Sequence, residues 1–304
     1  MTILCATDRL PKSEPAIERA ALLAEELGMQ LTLLHVVVPE GSEWALEQLL
    51  LTAHADMKAR TQKPSWRSHQ LPGIAMRAGN PARLILETMR DSKPQLLVLG
   101  PHHERPVRDT LEGTIAEKAI AARQCPVLIV QNPASSPYTR ALLALDRSEA
   151  SASALRAAEL LVLGPRVAAQ ILHANEMAHD EMLRGNRTGV ESDQDPGGSF
   201  EREALQAIRN RLEYESEHFA RYQIRIEPDH PKVAILREVE TFKPDLLVMG
   251  TRGGGRLHRA LLGSVANHVL HEVDCDILIV PQGSVGKPAN TRPQPRWQRH
   301  PTSA

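Results

Sequence analysis

Aromatic residues are scarce in this chain of 304 residues: three Trp, three Tyr and three Phe, 3% in all. That scarcity argues against a base-stacking nucleic-acid surface and against a carbohydrate platform. An excess of either charge is also missing. Thirty-six basic and 37 acidic residues leave a formal charge of −1, so no global field favours nucleic acid or an anionic membrane. No apolar run approaches the roughly 18 residues of a membrane span, and the N-terminus lacks the basic-then-apolar pattern of a secretory signal. The expectation is a cytoplasmic protein with no membrane and no nucleic-acid partner. Cysteine is limited to Cys5, Cys125 and Cys275, none in a CxxC pair. Each sits beside a short apolar run, as buried reduced thiols do.

What is present is a duplication. Lys93–Val130 (KPQLLVLGPHHERPVRDTLEGTIAEKAIAARQCPVLIV) and Lys243–Val280 (KPDLLVMGTRGGGRLHRALLGSVANHVLHEVDCDILIV) align without a gap at an offset of 150, with 13 of 38 positions identical. The fronts repeat at an offset of 138: LCATD ending at Asp8 matches LLALD ending at Asp146, and LLHVV around His35 matches ILHAN around His173. The 12-residue difference (150 − 138) is a net insertion, and Arg184–Ser199 has the loop composition to hold it. The reading is two homologous domains, 1–134 and 138–283, followed by a disordered tail over 284–304 that is rich in Pro and polar residues.

Each half alternates strand and helix. In the first, strands are expected at Thr2–Thr7, Leu31–Val38, Ile74–Arg77, Gln95–Leu99 and Val127–Val130. Helices are expected at Glu14–Leu27 (ending before Gly28), Ala45–Arg60, Pro81–Met89 and Thr114–Ala122. The runs LLVL, VLIV, LLVM and ILIV are apolar throughout, as in parallel strands covered on both faces. The fold class is therefore α/β, with two doubly wound, open parallel-sheet domains.

Ligands of such sheets bind beyond the carboxyl ends of the strands. In the second half that edge carries Asp146, Ala174 and the run Gly250-Thr-Arg252-Gly253, then nine residues, then Gly263-Ser264 leading into a helix-like run. Gly250 and Gly253 would let the backbone turn and approach a ligand. Gly263 and Ser264 would set free N–H groups at a helix N-terminus, where the dipole favours an anion. Arg252 adds a guanidinium, and Asp146 can accept hydrogen bonds from a ribose or base.

The G-x2-G-x9-G-[ST] spacing after a VMG strand resembles the nucleotide motif of the universal stress protein family. So do the strand closing on Asp, the LHV-type second strand and the CPVLIV-type last strand. The resemblance spans both halves and implies a tandem protein of that family. It implies ATP or a related adenine nucleotide, with Mg2+ as an accompanying ion, in the second half. Ala144, Leu145, Asp146 and Ala174 match positions around adenine and ribose. Met249, Gly250, Arg252, Gly253, Gly263, Ser264 and Val265 match the phosphate side. It further implies that the two last strands, Pro126–Val130 and Asp276–Val280, pair so that one chain forms a pseudo-dimer, with a homodimer of whole chains left open.

The first half departs from the motif, with Pro101 and His103 where a backbone donor and the second glycine belong. Its site is read as vestigial or repurposed. No Walker A, HExxH or GxSxG pattern occurs, and no metal site is expected at His173, His179 and Asp180. The function expected is nucleotide sensing or sequestration in a stress response. Two alternatives stand beside it: slow ATP hydrolysis or self-phosphorylation at Ser264, and an interaction module for an apolar ligand or a partner protein.

Overall fold

The computed structural model describes residues 1–39, 41–62, 66, 71–101, 114–164, 166–174, 196–216, 218–251 and 262–286. In the first half these form β1 (Thr2–Ala6), α1 (Glu14–Leu27), β2 (Gln30–Val37), α2 (Glu43–Thr61), β3 (Gly73–Ala78), α3 (Pro81–Ser92), β4 (Leu96–Leu99), α4 (Ile115–Ala122) and β5 (Val127–Ile129). The second half follows with β6 (Arg140–Ala144), α5 (Glu149–Leu161), β7 (Ala168–Ala174), α6 (Pro196–Leu212), β8 (Gln223–Glu227), α7 (Pro231–Phe242), β9 (Leu246–Gly250), α8 (Ser264–Glu272) and β10 (Asp276–Val280).

Local chemistry sets the boundaries. Gly28 ends α1 at φ 61, a left-handed turn that costs glycine nothing, and its N–H reaches back to Ala24 and Glu25. Ser42, Asn80 and Ser148 cap α2, α3 and α5 through their side-chain oxygens. One expectation is corrected. Pro196–Ser199, read as part of a loop, opens α6, with Pro in the first turn where its missing N–H costs no bond. The remainder of that stretch, 184–195, lies outside the described residues, as do His179, Asp180 and the tail beyond Gly286.

All ten strands join one sheet in the order β3-β2-β1-β4-β5-β10-β9-β6-β7-β8. Every pairing is parallel except the central one. There β5 and β10 run antiparallel, with Val127 opposite Ile279, Leu128 opposite Leu278 and Ile129 opposite Ile277. The expected pairing of the two last strands is thus made within the chain, and it covers two apolar edges that would otherwise template aggregation.

Successive strand residues face opposite sides, and each side carries its own core. Ile3, Cys5, Leu128 and Leu278 pack under α1, α2, α5 and α6. Leu4, Ala6, Ile129 and Ile277 pack under α3, α4, α7 and α8. Both cores run uninterrupted across the seam, and each fully buried Leu or Ile contributes about 1.5–3 kcal/mol. Cys5, Cys125 and Cys275 are buried thiols, and burial pushes each up to about 12, far from a reactive thiolate.

A polar cluster pins the seam. Asp276, 1% exposed, accepts the Tyr138 hydroxyl at 2.7 Å and the Gln131 and Asn132 N–H groups at 2.8 and 3.2 Å. Arg19 of α1 lies 3.5 Å from the same carboxylate and stacks 3.8 Å over the Tyr138 ring. Burial pushes the Asp276 carboxyl above its usual range, against the opposing pull of these donors and of Arg19.

Candidate functional site

In the second half the chain leaves β6 toward β7 and β8 on one side, then returns to β9 on the other. The carboxyl ends of β6 and β9 are therefore a topological switch point, where connections diverge and leave a crevice. Register places Ala144 beside Met249 across one boundary and beside Leu172 across the other. Ala144, Leu145, Asp146, Ala174, Met249 and Gly250 thus gather at one edge, from three adjacent strands.

Asp146 is held in a turn. Its Oδ1 accepts the Ser148 N–H at 2.9 Å and the Ser151 hydroxyl at 2.6 Å, while its own N–H donates to Ser151 Oγ at 2.8 Å. His173, at the end of β7, bonds the Leu145 carbonyl through Nδ1 at 2.9 Å. A carbonyl only accepts, so the Nδ1 carries the proton. Burial lowers this imidazole's pKa and keeps it neutral, a positioning group rather than an acid. His35 does the same to Thr7 in the first half, at 2.7 Å. Sequence reading noted both histidines but missed this brace.

The phosphate-side residues are bound to the same edge by main-chain contacts. Thr251 donates to the Val280 carbonyl at 3.1 Å and accepts the Gly263 N–H at 2.9 Å. Gly263 is the N-cap of α8, in extended conformation (φ −61, ψ 146), and offers no side-chain oxygen to the helix. Among the described residues the first N–H groups of α8, from Ser264 and Val265 onward, thus receive no cap from the N-cap side chain, an arrangement that suits an anion. Ala144, Ala174, Leu262 and Val265 are partly buried and pack on the core below. Arg252 and Gly253 lie outside the described residues.

Gly250 has a packing reason beside the ligand approach that its motif suggests. A Cβ there would stand 2.9 Å from the carbonyl carbon and Cβ of Ala150. The glycine lets β9 approach the first turn of α5. The same holds more loosely for Gly100, whose Cβ would meet Ser13 at 3.2–3.3 Å.

Among the described residues the two helix starts are capped differently. Thr114, the counterpart of Ser264, is the N-cap of α4 and accepts the Glu117 N–H at 3.1 Å. Glu117 returns its carboxylate to the Thr114 N–H at 2.7 Å. This reciprocal box puts a negative charge where an anion would sit, and Asn267 stands at the Glu117 position in the second copy. The pattern Thr-x-x-Glu is visible in the sequence and could have been found there. His102, His103 and Gly113 lie outside the described residues.

A tandem, doubly wound α/β protein with a switch-point crevice in its second copy is the class that this fold and site define. The universal stress protein family model matches the chain twice, over residues 1–131 and 137–281, and the chain belongs to that family. A universal stress protein of Methanocaldococcus jannaschii is 27% identical over 143 residues, 43% of this chain and 82% of that protein. One of Synechocystis is 30% identical over 97 residues, 32% of this chain and 90% of that protein. The crystal structure of a universal stress protein from Archaeoglobus fulgidus superposes with a TM-score of 0.65 at 18% identity, covering 93% of this chain and 96% of its own. A functionally unknown protein of Pseudomonas aeruginosa gives 0.59 at 18% identity, covering 92% of each chain. Among the described residues no helix is long and apolar enough to cross a membrane.

Proposed function

We propose that the second half binds one adenine nucleotide, ATP, and that occupancy is the signal this stress protein carries. The observation behind this reading is the start of α8 at a glycine N-cap with no side-chain cap among the described residues, tied by Gly263 to Thr251 at the edge where Asp146 also stands. Phosphate oxygens would accept from the N–H groups of Ser264 and Val265, with Arg252 supplying charge. Asp146 would accept from the ribose, and Ala144, Ala174 and Val265 would form the apolar wall for the base. Leu145 would act through its carbonyl, which orients His173, and Met249 from beneath. The residues fit such a ligand, since a helix start capped by glycine leaves room and donors that the Thr114–Glu117 box removes in the first copy.

The first copy is accordingly proposed not to bind nucleotide. Titration calorimetry together with native mass spectrometry tests both statements. One nucleotide per chain is expected, with no phosphate release at single-turnover protein concentrations. Two equivalent sites, or none, would overturn the reading, and phosphate release would favour the hydrolytic alternative.

A further inference from the structure

At the seam a cavity of about 480 Å³ lies between the end of α3, the end of α5 and the residues after β10. Met89, Leu160 and Val285 give it apolar wall, and Arg90, Lys93 and Gln124 give it polar groups. Neither cation has an ion-pair partner among the described residues. The Oε1 of Gln124 is buried with no hydrogen-bond partner. A buried, unmatched acceptor is costly and calls for a partner that the protein itself does not supply.

The duplication shows what this place becomes when it is built to be filled by protein. At the offset of 150, Arg90, Gln95 and Gln124 correspond to Glu240, Asp245 and Asp274. In that copy the inter-repeat connection lies against the equivalent surface. Asp245 accepts the Thr139 N–H and hydroxyl at 2.7 Å each and the Arg140 N–H at 3.0 Å, and Asn132 donates to the Asp274 carbonyl. Here the carboxylates have gone, Arg90 stands in place of Glu240 beside a lysine that both copies share, and among the described residues the space is open. The residues that follow Gly286 carry Lys287, Arg292, Arg296 and Arg299 and no carboxylate side chain, so their sequence offers no anionic side chain for these cations.

We infer that the seam cavity is a second ligand site, for a small amphiphilic anion. Its carboxylate or phosphate head pairs with Arg90 and Lys93, a hydroxyl or N–H meets Gln124, and its apolar body lies on Met89, Leu160 and Val285. Arginine binds either head in bidentate fashion. The site is separate from the nucleotide crevice and does not depend on that reading.

Octanoate and octylammonium, equal in length and opposite in charge, are the probes, titrated by calorimetry into the full chain. Octanoate is expected to bind once per chain and octylammonium at least tenfold more weakly, with saturating ATP changing octanoate affinity less than twofold. The double variant Arg90→Glu/Gln124→Asp, carrying the second copy's residues, should lose octanoate at least tenfold at unchanged melting temperature. If that variant does not fold, methyl resonances of Met89 and Val285 in the unaltered protein decide: they shift with octanoate. Equal binding of the two probes, displacement of octanoate by ATP, unchanged affinity in the variant or unmoved methyls would each overturn the inference. Loss of ATP binding with octanoate retained would refute only the nucleotide reading.

Discussion

The carbonyl of Thr251 accepts the N–H of Gly263 at 2.9 Å, across eleven intervening residues. That bond joins the end of β9 to the start of α8 and fixes the helix terminus at the strand edge whatever the intervening chain does. Replacing Gly263 with Val should leave the backbone undisturbed, because φ −61 and ψ 146 suit a β-branched residue. The added methyls would crowd the phosphate position. Losing one charge-assisted hydrogen bond, about 1.5–3 kcal/mol, should weaken ATP by about tenfold or more in calorimetry at an unchanged melting temperature.

Gly250 should behave in the opposite way. An alanine there meets Ala150 backbone at 2.9 Å, whereas alanine at Gly100 meets Ser13 at 3.2 Å. Forced overpacking costs about 1–3 kcal/mol, so Gly250→Ala should lower stability in urea unfolding by that amount and Gly100→Ala by clearly less. Equal losses would show that the contact with α5 is not what demands glycine.

Asp276→Ala removes the acceptor of Tyr138 and takes from the buried Arg19 its ion-pair partner. Breaking a buried pair from one side costs about 3–5 kcal/mol. Tyr138→Phe, which removes one hydrogen bond to the carboxylate, should cost about 1.5–3 kcal/mol. Chemical denaturation of both variants ranks the two, and a loss under 1 kcal/mol for Asp276→Ala would rule out the cluster as the pin of the seam.

Much of this architecture is legible from the residues. The end of α1 is written in Gly28, and the all-apolar runs at β4, β5, β9 and β10 mark a doubly covered sheet. The family resemblance even implies the seam. What was not legible is tertiary. Arg19, Tyr138 and Asp276 meet only because β5 and β10 pair, and no local pattern links positions so far apart. The start of α6 at Pro196 was hidden by Gly and Ser, whose composition reads as loop although the helix is set by burial of Ile208 and Leu212. At the site, spacing marked Gly250 for close ligand approach, but its contact with Ala150 was not legible, because that neighbour belongs to another element.

Acid should loosen both halves together. Burial lowers the pKa of His35 and His173 below the ordinary 6.5, so the unfolded chain takes up protons before the folded one does. Their contribution is complete above that value and is lost as pH falls through the lowered folded values. Unfolding free energy should therefore decline from pH 7 toward pH 5, and His173→Gln should flatten part of that slope. An identical slope in the variant would remove His173 as its source.

An interface between two identical subunits must read the same in both directions, each contact made twice. Fusion lifts that obligation from the β5–β10 seam. Pro126 occupies the position that corresponds to Asp276, so the acid has no mirror image, and Arg19 finds Ala157 in its own counterpart position. The two copies accordingly carry different residues at corresponding positions. One helix start carries a carboxylate lock while the other begins at a glycine, and one flank of the seam carries the connecting peptide while the other borders the cavity. The union cannot be lost by dilution, so the chain holds unlike halves in a fixed one-to-one ratio, which no assembly of identical subunits can do.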